Sequence, residues 1–143
     1  MLPAATSGHA RWCSERGRRP LVVPLDPEDA EGRAFDRALA GPGRPDAVCS
    51  LYDPGGHQVL AAAARHGIRT PEGLFLVCAS EGPAYAAAEP AVTTVTLRPE
   101  RIAEVAVSAL VTPIESGHAE SPGQHTVPAS PRVRASSLPP VMY

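Results

Sequence analysis

The chain contains no lysine and no asparagine. All 13 basic residues are arginine, set against 15 acidic ones, and the formal charge is −2. That balance excludes a basic field able to hold a nucleic-acid backbone. Cysteine is sparse: Cys13, Cys49 and Cys78 are odd in number, widely spaced and never arranged as Cys-x-x-Cys. A disulfide framework is therefore not expected, and a reduced, cytoplasmic setting is. No apolar run approaches the ~20 residues of a spanning helix, so no membrane role is expected. Met1 to Ala10 has no charged start followed by an apolar stretch, so this stretch is not expected to be a secretory signal. Gly-x-Gly-x-x-Gly, a Lys-Ser/Thr phosphate loop and Gly-x-Ser-x-Gly are all missing. The five histidines are scattered, with no Cys/His spacing that suits zinc, so neither metal nor cofactor is expected. No set of residues calls for an enzyme.

What the chain has in abundance is Ala, Arg, Gly and Pro, including 17 prolines and 12 glycines. We read this as a coding bias toward GC-rich codons. Its 143 residues suffice for one domain with a core. Proline and glycine punctuate the elements. Asp46 to Leu51 is short and mostly apolar, and reads as a strand buried on both faces. Asp53 has the character of an N-cap and Pro54 of a first helical residue, so a helix is expected through His66, stopped by Gly67. Before this unit, Gly8 to Arg16 reads as a helix with Trp12 and Cys13 on its buried side. Pro20 to Leu25 reads as an edge strand, and Asp26-Pro27 opens a helix carrying Phe35, Ala38 and Leu39 that ends near Gly41. After it, Leu74 to Ala79 is a buried strand and Tyr85 sits in one helical turn. Val92 to Thr96 is a β-branched strand. Pro99 starts a helix with an apolar stripe of Ile102, Val105, Ala106, Ala109 and Leu110, ended by Pro113. Val127 to Ser137 is a last strand. Strand and helix alternate, which predicts an α/β fold: a parallel sheet with helices on both faces.

Open α/β sheets bind ligands outside the carboxyl ends of their strands. Asp53 lies at such an end, where a carboxylate could accept hydrogen bonds from ligand hydroxyls as well as cap its helix. Tyr52 precedes it, and Ser80 and Glu81 end the next strand on the same rim. Cys49 and Cys78, mid-strand, read as core residues and not as nucleophiles.

Several motifs occur in order and at matching separations: Gly8 through Gly17, Pro45-Asp46-Ala47-Val48, Asp53, Pro90-Ala91-Val92-Thr93-Thr94-Val95 and Arg134-Ala135-Ser136. Over residues 8–137 the chain resembles the carboxyl-terminal part of the effector-sensing region of lactose-repressor (LacI/GalR) family transcription regulators. The resemblance implies a periplasmic-binding-protein-like (type I) second subdomain with a sugar or nucleoside-like effector in the cleft. Residues 1–7 would be an extension and residues 138–143 a flexible tail. It implies a cytoplasmic homodimer, with His57, Leu60, Ala61 and Ala64 of one helix and Ala84 and Tyr85 of the next segment near the two-fold axis. Operator DNA would be bound only through an amino-terminal helix-turn-helix domain that this chain does not contain, and the first subdomain is likewise not in it. The sheet is accordingly expected to be incomplete, because the family's central strand precedes the Gly8 helix. Four positions depart from the family pattern: Ala5 where an Arg is common, Tyr52 for Asn, Ser80 for Asp and Leu97 for Gln. Asp53 is the plain match. A solute-binding domain of a transport system shares the fold and is the alternative reading.

Overall fold

The computed structural model describes residues 4–24, 28–29, 31–117 and 123–139. Its centre is a four-stranded sheet in the sequential order β1 (Ala47–Ser50), β2 (Phe75–Ala79), β3 (Thr93–Thr96), β4 (Ser130–Arg132). The first three strands run parallel, with Val48 beside Leu76 and Cys78 beside Thr94. β4 runs antiparallel to β3, which adds one antiparallel edge strand to the expected parallel sheet. The last strand is also shorter than the predicted 127–137. Pro128 and Pro131 carry no amide donor, and a strand holding them can pair along one edge only. The chain then turns through a 3-10 segment, Ala135–Ser137.

Helix α3 (Asp53–Arg65) joins β1 to β2 and covers one face of the sheet. Val59, Ala62 and Ala63 of α3 meet Leu76 and Cys78 of β2 in a single core, which also holds Phe35, Leu39, Leu74, Tyr85 and Val92. Alternation along β2 places Leu76 and Cys78 in this core and leaves Phe75, Val77 and Ala79 half-buried. α4 (Ala84–Ala87) is the expected single turn around Tyr85. Gly67 ends α3 as expected, with φ of 65°.

Several expectations are corrected. α1 (Ala4–Glu15) starts before Gly8, and Trp12 is exposed beneath the Arg16 guanidinium instead of buried. Residues 21–24 form no strand: Leu21 and Val22 are exposed, and only Val23 packs on the core. Pro20 and Pro24 remove the donors such a strand would need. Leu25, the end of that expected strand, and Asp26-Pro27, the expected helix start, lie outside the described residues. The helix observed is α2 (Arg33–Leu39), entered through Gly32 at φ 71° and capped by the Asp29 carboxylate, which accepts the Arg33 and Ala34 N–H groups at 3.0 and 3.1 Å. β1 is not buried on both faces. It is the sheet edge, with Ala47 and Cys49 exposed, so Cys49 is not a core residue while Cys78 is. α5 (Pro99–Ser116) runs through Pro113 and ends at Gly117 instead. Near a helix end, proline costs one backbone bond and the left-handed glycine supplies the stop. Among the described residues α5 packs closely on no other element; of its expected stripe Ile102, Ala106 and Leu110 are exposed and Val105 and Ala109 half-buried. No described helix is long and apolar enough to cross a membrane. Of the tail, Leu138 and Pro139 are described and residues 140–143 lie outside.

Candidate functional site at the carboxyl end of the sheet

Parallel pairing brings the ends of β1 and β2 side by side, since Ser50 lies opposite Cys78. The chain leaves β1 through a turn in which the Ser50 hydroxyl donates to the Tyr52 carbonyl at 2.8 Å. Leu51 and Tyr52 project there half-exposed. Asp53 is the first residue of α3, and Tyr52, not Asp53, is the capping position; no side chain caps this helix. The Asp53 carboxylate points across to β2, where the Ser80 hydroxyl donates to it. Ser80 Oγ in turn accepts the Gly82 N–H at 2.8 Å. The two rim residues from different strands are thus joined, and the reading of Asp53 as a helix cap gives way to an acceptor facing its neighbour.

Tyr85 anchors this corner from below. It is fully buried, and its hydroxyl donates to the main-chain carbonyl of Asp53. Burial pushes the phenol above its ordinary value, with Cys78 adding to the shift. Gly56 makes the fit possible. A Cβ there would lie 2.3 Å from Cys78 Sγ and 2.6 Å from the Tyr85 hydroxyl. Gly56 therefore serves close approach of α3 to Cys78 of β2 and to Tyr85. Burial raises the Cys78 thiol to about 12, with Cys49 contributing, so it stays protonated and unreactive at neutral pH.

Glu81 faces away from Asp53. Its carboxylate accepts the Leu97 N–H at 2.8 Å and lies 3.9 Å from Arg132. The Thr96 hydroxyl above all, with the Leu97 N–H and Arg132, holds its carboxyl below the ordinary value against an opposing desolvation.

The residues assigned to a dimer face separate into two groups. His57, Ala61, Ala64 and Ala84 are exposed, and the first three follow at i, i+4 and i+7 on one side of α3. Leu60 is half-buried against the core, and Tyr85 has no exposed surface to offer a partner. His57 stacks on the Tyr85 ring, centroids 4.3 Å apart and 11° from parallel.

Sequence reasoning did not foresee the role of Ser136. Fully buried, its hydroxyl donates to the Leu76 carbonyl at 2.6 Å and accepts the Thr93 N–H at 2.9 Å. Arg134 beside it donates to the Val92 carbonyl at 2.7 Å and to the Thr94 hydroxyl at 3.0 Å. The Arg134-Ala135-Ser136 and Val92-Thr93-Thr94 motifs are therefore two halves of one hydrogen-bonded seam. A groove at the opposite end of the sheet holds Arg44, His66 and Arg69, but Arg44 is committed to the Gly73 carbonyl at 3.0 Å and no rim residue reaches it.

No curated protein matches the chain. Among solved structures it is similar to a LacI family transcriptional regulator from Bifidobacterium animalis subsp. lactis, with 22% identity over 95% of this chain and 50% of that one, at a TM-score of 0.78. A LacI family transcriptional regulator from Mycobacterium smegmatis gives 25% identity, 95% and 52% coverage and a TM-score of 0.67. One from Lactobacillus casei, solved with bound sucrose, gives 16% identity, 92% and 50% coverage and 0.70. The chain spans about half the length of the solved structures it matches. Residues 4–137 match the family described as periplasmic binding protein-like domain. Folds of this family are those of regulators and binding proteins. The chain belongs to the periplasmic binding protein-like domain family, in the form found in the effector-binding domains of LacI-family transcriptional regulators.

Proposed function

We propose that this chain is the effector-sensing and dimerising part of a LacI-type regulator, which binds a small polar ligand of the sugar or nucleoside class. The observation that carries the reading is the Asp53–Ser80 pair. An acid and a hydroxyl from adjacent parallel strands meet at the carboxyl end of the sheet, beside the half-exposed Tyr52. Carboxylates accepting from vicinal hydroxyls and an aromatic face against an apolar ring edge suit a sugar. Binding would change DNA affinity through a helix-turn-helix domain elsewhere in the full-length protein. The exposed stripe of His57, Ala61 and Ala64 with Ala84 is the proposed two-fold face. Its small side chains offer little apolar area, which suits a modest interface. The three free thiols fit a cytoplasmic setting.

A thermal-shift panel of mono- and disaccharides and nucleosides on the full-length protein tests this. At a ligand concentration 100 times the dissociation constant, stabilisation of ~2.7 kcal/mol is expected, a rise of several degrees. A flat panel counts against the reading.

A further inference from the structure

The connection from β3 into α5 is held by hydrogen bonds that the ligand site alone does not require. Leu97 and Arg98 join β3 to α5, a helix that packs closely on no other element among the described residues. Arg98 adopts φ of 56°, the one non-glycine residue with positive φ among the described residues, so the chain turns sharply there. Three bonds fix this turn. The Ser80 N–H donates to the Val95 carbonyl at 3.3 Å. The Glu81 carboxylate accepts the Leu97 N–H at 2.8 Å. The Arg98 N–H donates to the Thr96 hydroxyl at 3.0 Å. Two of the three come from consecutive residues of β2's end, and Ser80 is also the donor to Asp53.

We propose that Glu81 is a positioning residue that sets the direction in which α5 leaves the sheet, and that Ser80 ties this direction to the state of the Asp53 rim. The coupling half rests on the reading of that rim as the effector site; the clamp half does not. The physical basis is short leverage. A shift of the Ser80 hydroxyl, when a ligand competes for Asp53, moves a backbone whose next residue grips the turn. A helix of 18 residues with no close packing partner among the described residues amplifies any change in angle at its first residue.

Amide-resolved hydrogen exchange on the full-length protein, with no ligand added, tests both halves. Glu81→Ala is expected to speed exchange of the Leu97 amide by about fivefold, the effect of losing one ordinary hydrogen bond, while Val77 and Thr94 keep their rates. Glu81→Gln, whose amide oxygen still accepts, is expected to restore the wild-type rate. Glu81→Asp, one methylene short, should fall between and supplies the reading if the alanine variant does not fold. Unchanged exchange at Leu97, or equal acceleration across β2 and β3, overturns the clamp. Ser80→Ala is expected to speed Leu97 exchange at least twofold, and a slow Leu97 amide in that variant overturns the coupling. A flat sugar panel leaves these exchange results readable, so failure of the effector reading is distinguishable from failure of the clamp.

Discussion

Ser80, one residue past the end of β2, donates its hydroxyl to the carboxylate of Asp53, the first residue of α3. The donor already has its own support, because Ser80 Oγ accepts the Gly82 N–H. A ligand hydroxyl can replace Ser80 at one carboxylate oxygen or join it at the other. Asp53→Ala removes the acceptor in either case. Hydrogen bonds to a charged group contribute ~1.5–3 kcal/mol, so effector affinity should fall roughly ten- to a hundred-fold. Because Asp53 does not cap its helix, the melting temperature without ligand should fall only by what the Ser80 hydrogen bond contributes. Calorimetric titration of whichever sugar shifts the wild type reads this, and an unaltered isotherm removes Asp53 from the binding site.

Gly56→Ala should be costly for its size. The added Cβ would press on Cys78 Sγ and the Tyr85 hydroxyl at distances no packed carbon adopts. Either α3 moves off β2 or Tyr85 gives up the Asp53 carbonyl. Overpacking of this kind costs ~1–3 kcal/mol. Urea unfolding should show a lower midpoint at unchanged slope, whereas a midpoint equal to wild type would mean the corner is looser than its geometry.

Ser136→Ala leaves two buried groups without a partner, the Leu76 carbonyl and the Thr93 N–H. Each bare group costs ~1–3 kcal/mol. Ser136→Cys, with a weaker donor, should recover part of the loss. Denaturation of both variants side by side tests the seam; equal stability of Ser136→Ala and wild type would refute it.

For the two-fold face, Ala61→Glu with Ala64→Glu places two carboxylates on the exposed side of α3 without disturbing the buried Ala62 and Ala63. Light scattering on the full-length double variant should show a shift toward monomer. Persistence of the wild-type assembly would move the interface elsewhere.

Acid should destabilise the protein. The Arg65 guanidinium, bonded to Asp36 at 2.7 Å, holds that carboxyl below its usual value. The Arg33 and Ala34 N–H groups do the same for Asp29, and the Thr96 hydroxyl for Glu81. A carboxyl lowered by folding binds its proton more readily when unfolded, so its contribution is present above the unfolded value near 4 and lost as pH falls through the folded one. Unfolding midpoints should stay level from pH 7 to about 5 and drop below about 4. Asp36→Asn should flatten part of that drop, and a midpoint that rises on acidification would contradict the assignment.

Local chemistry determined much of this fold. Pro54 beside Asp53, Gly67 after His66 and the apolar runs at 74–79 and 92–96 fixed strand, turn and helix without help from distant residues, because propensity and capping act within a few positions. The motif order carried the family for the same reason, and it pointed to Asp53. Tertiary structure decided what depended on neighbours. β1 reads as a core strand, yet its place at the sheet edge leaves Cys49 exposed, since burial is a property of the pair and not of the strand. Tyr85 reads as part of one helical turn and, by resemblance, of the two-fold face, yet it is fully buried, and Gly56, 29 residues earlier, gives its ring room beneath Asp53. Ser80 and Glu81 are adjacent in sequence but face opposite ways, one to Asp53 and one to Leu97. Alternation of side chains predicts that they diverge; which partners they find is set by the ends of β1 and β3, which meet β2 only in the folded sheet.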